Sequence, residues 1–190
     1  MKRLALAAFS AAMILPGLSA VARADQVSDA IASALEAYNA GDVQFAMDEL
    51  TMAQQLLQAQ KAERLTGFLP EAPDGWTRTM NTDMNTGLGM MGAGTGAEAT
   101  YEGPEASFRI TLMADNPMVA SMGALLGNSA LMATMGKVVR VGQVRVLQQE
   151  NSLQTLVGNR VMVQAQDAAP DIMMPVFEKI DFVGLEKFGS

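Results

Sequence analysis

An α+β domain is what the sequence predicts: an N-terminal helical hairpin followed by an antiparallel sheet covered by helices on one face. Three observations carry that expectation. Apolar residues recur at helical spacing through residues 27–57, with one break at Asn39-Ala40-Gly41-Asp42. Beyond Pro70 the period changes to alternation, and Gly, Pro and Asn punctuate short apolar segments. Apolar helical stretches interrupt and close this run of strands, an order that segregates helices from an antiparallel sheet.

Residues 1–24 read as a cleaved signal peptide. Lys2 and Arg3 precede a mostly apolar run from Leu4 to Leu18, and Ala22-Arg23-Ala24 supplies the small residues of a cleavage site before Asp25. The run is shorter than the roughly 20 residues of a membrane span and Pro16 interrupts it, so no stable membrane anchor is expected after cleavage. With no cysteine in the chain, a lipid tether on that residue is excluded as well. The expected location is periplasmic or secreted.

Residues 25–67 form the predicted hairpin. Val27, Ile31, Leu35 and Tyr38 mark the first helix, and Ala46, Leu50, Ala53 and Leu57 mark the second. Asp42 is placed to cap the second helix, which should run to about Leu65 before Gly67 and Pro70 stop it. The set Ala34, Tyr38, Gly41-Asp42, Ala46, Leu50 and Ala53 resembles one tetratricopeptide unit. The resemblance covers about twenty residues and occurs once, whereas a superhelical groove needs about three units. A single packing hairpin is therefore expected, with a repeat-like docking surface as the alternative.

Residues 68–190 should hold the α+β domain. Leu69-Pro70-Glu71-Ala72-Pro73-Asp74-Gly75 is a proline-braced approach to an extended segment, with Trp76 expected to be buried at its start. Ala97–Tyr101 and Ser107–Met113 read as strands around the turn Glu102-Gly103-Pro104-Glu105. A helix from Pro117 to Leu126, broken about Gly127-Asn128, should resume to Met135. Three sheet segments follow: Val138–Leu147, kinked at Gly142; Leu153–Val157; and Arg160–Ala165 behind a Gly158-Asn159 turn. A last helix opens at Pro170 or Asp171 and carries Met174, Phe177 and Ile180 inward, and Asp181–Phe188 closes the chain. Leu69, Pro70 and Trp76, the Gly/Met-rich loop and Ile180-Asp181 together resemble small secreted α+β proteins of proteobacteria. That resemblance implies an envelope location and no activity.

Composition excludes much chemistry. Without histidine or cysteine the chain offers no His-based or thiolate relay, zinc finger or disulfide. Loss of residues 1–24 removes Lys2, Arg3 and Arg23 and takes the formal charge from −7 to −10, which argues against a nucleic-acid partner. Gly87-Leu88-Gly89-Met90-Met91-Gly92 spells the dinucleotide-binding pattern, but polar residues precede it and no helix can start at its end. Asn81-Thr82-Asp83-Met84-Asn85 begins like a calcium loop, yet Thr86 and Gly92 stand where glycine and glutamate are required. No spacing nominates a carboxylate pair, and Ser107, Ser121 and Ser129 lack a nucleophile elbow. The protein is read as a non-enzyme.

Methionine is the remaining excess, with 16 in the chain. Met80, Met84, Met90 and Met91 crowd one glycine-rich segment, where thioethers could hold Cu(I) without deprotonation. The preferred reading is a mobile docking loop over Met80–Gly96, with Leu88, Met90 and Met91 as apolar contacts for another envelope protein. The expected function is thus a non-catalytic soluble binding module, the alternative a periplasmic copper-binding protein. No residue constellation points to a named activity.

Overall fold

The computed structural model describes residues 18–81 and 94–189 of the chain. Two compact units divide it between Leu56 and Leu57, within a continuous helix. In the first unit, α1 (Leu18–Asn39) and the early turns of α2 (Val43–Thr66) pack together as the predicted hairpin. Asp42 caps α2 through its side chain, which accepts from the Phe45 N–H at 3.1 Å. Gly41 sits at φ +86, a left-handed conformation that suits glycine in this reversal. The packed seam differs from the apolar spacing: Val27, Ala30, Ala34, Ala37, Ala46 and Ala53 are buried, while Ile31, Leu35, Tyr38 and Leu50 are exposed. Alanine lets two helix backbones approach closely, so the small residues take the seam and the large ones are displaced from it.

The second unit is built on a seven-stranded antiparallel sheet of order β1-β2-β3-β7-β6-β5-β4. The strands are β1 (Thr77–Asn81), β2 (Thr95–Glu102), β3 (Ser107–Ala114), β4 (Lys137–Val141), β5 (Val144–Gln149), β6 (Ser152–Val157) and β7 (Val161–Gln166). Two meanders, β1 to β3 and β4 to β7, join where β3 pairs with β7. Between them lie α3 (Pro117–Leu126) and α4 (Ser129–Met135), separated at the predicted break. Asn128 caps α4 by accepting from the Ala130 N–H at 3.0 Å. The chain closes with α5 (Pro170–Phe177) and α6 (Phe182–Glu186).

Alternation along the strands sorts two cores. Tyr101, Phe108, Ile110, Leu112, Val146, Leu153 and Val163 join Leu65, Leu69, Met173, Phe177 and Leu185 in the main core. Leu147, adjacent to Val146 and so on the opposite face, joins Leu126 of α3 and Met132 of α4 in a smaller cluster. A second pair of helices thus lies over the other face near the β4 edge, in addition to the expected cover.

Two details correct the sequence reading. Val138–Leu147 is not one kinked strand: Val141 pairs with Val144, and Gly142-Gln143 form a two-residue hairpin turn with Gly142 at φ +57. Trp76 is half-buried rather than fully buried. Its ring lies 5.4 Å from that of Phe108, which stacks on Tyr101 at 5.0 Å, and a Cβ on Gly103 would overlap it. The approach to β1 is pinned from below. Tyr101 donates its hydroxyl to the Pro70 carbonyl at 2.6 Å, and Arg78 donates to the carbonyls of Leu69 and Pro70 at 2.9 and 3.0 Å.

Candidate functional site

Of the methionines proposed as ligands, Met80 lies in β1 opposite Ala99 and is half-buried against the main core. Its thioether is engaged in packing. Met84, Leu88, Met90 and Met91 lie outside the described residues. Of the loop expected over Met80–Gly96, Met80 and Asn81 belong to β1 and Thr95 and Gly96 to β2, and residues 82–93 lie outside the described residues. Among the described residues, no group of three or more His, Cys, Asp or Glu side chains could hold a metal ion.

The carboxylates with the most structured surroundings are committed to neighbours. Glu98, on the face of the sheet opposite the main core, accepts from Asn81 Nδ2 at 2.9 Å and from the Thr111 hydroxyl at 3.0 Å. The register continues this polar row across the sheet to Gln164 and Gln154. Asp115 sits at φ +53 between Lys61 and Arg160, the latter at 2.9 Å. Partial burial works against its charged form, but the hydrogen bonds and charges of Lys61 and Arg160 outweigh burial and hold the carboxyl below its ordinary value. Asp167 pairs with Arg109 at 2.6 Å, and Asp181 caps α6 by accepting from the Gly184 N–H at 2.9 Å. A carboxylate whose oxygens are already bonded to fixed donors is poorly placed to shuttle protons.

Two open clefts indent the second unit. One, of about 730 Å³, lies among the Gly142-Gln143 turn, the Gly158-Asn159 turn and the junction of α5 with α6. Its polar groups, Arg145, Glu178, Asp181 and Glu186, stand around an apolar strip of Val141, Ile180 and Phe182. The other, of about 720 Å³, sets Lys61, Arg64 and Lys187 around Phe68 and Phe188. Lys61 there is bound to Asp115 and stands 5.8 Å from the centre of the Phe188 ring.

The most pronounced departure from ordinary surface chemistry lies in the first unit. Ile31, Leu35, Tyr38, Val43, Met47 and Leu50 are each between 48% and 66% exposed. At 3.6 residues per turn, the three on α1 lie about 50–120° round from the buried alanines, and so do the three on α2 in the same rotational sense. The helices run antiparallel through a three-residue turn, so the same sense on both is the same side of the hairpin. These six side chains therefore make one apolar face. Helical spacing in the sequence points to Ile31, Leu35, Tyr38 and Leu50 but assigns them to the packing of the hairpin, and does not mark Val43 or Met47, because nothing in the spacing distinguishes an alanine seam from the larger side chains flanking it. The chain matches no family model, no curated protein and no solved structure.

Proposed function

We propose that the protein is a non-catalytic binding module of the cell envelope, exported with loss of residues 1–24, whose helical hairpin engages another protein. One observation carries the reading: six large apolar side chains share one exposed face of the hairpin, a face the hairpin's own packing does not use. Surface apolar residues scattered singly need no explanation, but a contiguous patch marks an interaction surface. The engaged carboxylates and the absence of histidine and cysteine support the non-catalytic part, and the export signal with the acidic balance supports the envelope location.

A photo-crosslinking residue placed at Leu35 or Leu50 in the exported protein tests this in cells. Protein adducts are expected at both positions and not at Gln55, on the back of α2. Adducts at Leu88 with none at Leu35 or Leu50 would move the docking site to the methionine-rich loop, and adducts at none of the four would overturn the reading. The copper alternative now rests on Met84, Met90 and Met91 in sequence. Cu(I) retained against a competing chelator, and released when all three are changed to Ser, would establish it.

A further inference from the structure

We infer that the apolar face of the hairpin is a self-association surface, and that two copies of this chain pair through it as a four-helix bundle. The inference rests on the proposed reading of that face and names its occupant.

Three properties of the face select a second copy. The first is size. Six half-exposed side chains, taken at roughly 100 Å² of apolar surface each, present about 600 Å² before their small neighbours are counted. That is at the upper end for a monomer's largest apolar patch and close to the ~800 Å² that each partner contributes to a stable interface. The second is shape. The face spans two antiparallel helices, and a two-fold axis through its centre sets each helix of one hairpin against a helix of the other, the arrangement of an ordinary four-helix bundle.

The third property is charge. Residues 25–60 carry six carboxylates, Asp25, Asp29, Glu36, Asp42, Asp48 and Glu49, and no lysine or arginine. Two such hairpins would repel if these groups bordered the contact. They do not: Ser28, Asn39 and Thr51, all uncharged, follow the apolar face round each helix, while by the same 3.6-residue geometry Asp25, Asp29, Glu36 and Asp48 lie on the back and Glu49 flanks the seam on the opposite side, and Asp42 in the turn caps α2. A neutral margin permits self-association and gives a cationic helix no carboxylate beside the contact to pair with.

Sedimentation equilibrium of the purified protein at about 10 µM should give twice the mass of the chain, a concentration at which a micromolar dimer is mostly formed. Raising salt should leave association unchanged or strengthen it by screening the outer carboxylates. Leu35→Glu combined with Leu50→Glu should raise the dissociation constant at least 100-fold with helicity unchanged by circular dichroism, and Met52→Glu, on the other side of α2, should not. If the double variant fails to fold, single cysteines decide in this cysteine-free chain. Leu50→Cys should give covalent dimers with a short bifunctional maleimide, and Gln55→Cys should not. A monomer under all these conditions, or a dimer insensitive to the Leu35 and Leu50 changes, overturns the proposal. Crosslinks from Leu35 and Leu50 in cells to a different protein, with a monomer in solution, would overturn the second copy and leave the docking face standing; no crosslinks and no dimer would end both.

Discussion

Removing one oxygen atom, by Tyr101→Phe, should make two stability curves cross as pH rises. The Tyr101 side chain is fully buried, and its hydroxyl donates to the Pro70 carbonyl at 2.6 Å. At neutral pH the variant loses one buried hydrogen bond, worth about 0.5–1.5 kcal/mol net. Arg78 also donates to the Pro70 carbonyl at 3.0 Å, so that acceptor keeps a partner and the loss should be about 1 kcal/mol or less. Burial pushes the Tyr101 phenol up from 10.0 to about 12, the nearby Arg78 charge and hydrogen bond opposing it only in part.

A raised folded value has a definite sign. Stability from the neutral phenol is fully present below pH 10, where the unfolded chain also keeps the proton, and is lost as pH rises towards 12 because the unfolded chain releases it first. At 1.36 kcal/mol per unit the full loss is about 2 to 3 kcal/mol, and about half of it has gone by pH 11. The wild type should therefore be the more stable below about pH 10, match Tyr101→Phe near pH 11, and be the less stable above that. Urea unfolding of both proteins at half-unit steps from pH 8 to 11.5 measures this. Every other group is common to both proteins and cancels in the difference. Parallel curves across the whole range would show that Tyr101 ionises without feeling the core, and the argument from its burial would fail.

Three other changes test separate parts of the fold. Asp115→Asn keeps a residue tolerant of φ +53 but loses the charge held by Lys61 and Arg160, so it should cost about 1 kcal/mol or less at pH 7. Because the Asp115 carboxyl is held below its ordinary value, its contribution is present above about pH 4 and lost as pH falls through the lower folded value; acid titration of the variant should be correspondingly flatter. Gly103→Ala drives a methyl into the Trp76 ring and should cost about 1–3 kcal/mol with a red shift in tryptophan emission, whereas an unchanged spectrum would mean that the ring does not lie on Gly103. Met173→Ala, at a fully buried position of α5, should cost about 2–5 kcal/mol in urea unfolding, and a change below 1 kcal/mol would contradict its place in the main core.

Local chemistry made much of this fold legible. Asp42 announces a helix start because a short oxygen-bearing side chain before a helix former has one evident use, and it accepts the expected backbone N–H; Gly127-Asn128 announces only a break, which Asn128 turns into the cap of α4. Gly158-Asn159 announces a turn because both residues tolerate positive φ, and both adopt it, at +56 and +59. Gly142 is harder, since apolar residues continue on both sides of it and only a shift in phase, from Val139 and Val141 to Val144 and Val146, marks the two-residue turn across which Val141 and Val144 pair. The smaller cluster under α3 and α4 needs knowledge of strand order: Leu156 of β6 shares it with Leu147 of β5 and with Val138, the partner of Leu147 on β4. The join of Lys61, Asp115 and Arg160 is more remote still, drawing on three segments with no shared period.

The hairpin shows why a misassigned face can be the informative one. Large apolar residues at helical spacing normally mean an inward stripe, because burying them offsets the entropy lost on ordering the helix. Here Ala30, Ala34, Ala37, Ala46 and Ala53 occupy the seam, and close approach of the helices displaces Leu35, Tyr38 and Leu50 to the surface. Leucine and tyrosine at half-exposed positions gain little from the fold, and small polar residues there would serve solubility better, as they do at Ser28, Asn39 and Thr51 on the margin of the same face. A hairpin that is polar where its border meets water and apolar in between is consistent in sequence and packing only if a second apolar surface is counted. Replacing all six side chains by glutamine therefore tests the division of labour. Compared at a concentration where both proteins are monomeric, the unfolding free energy should change by about 0.5 kcal/mol or less per substitution, and association should be lost. If stability collapses instead, these residues are part of the packing within the chain, and the face would not be an interaction surface at all.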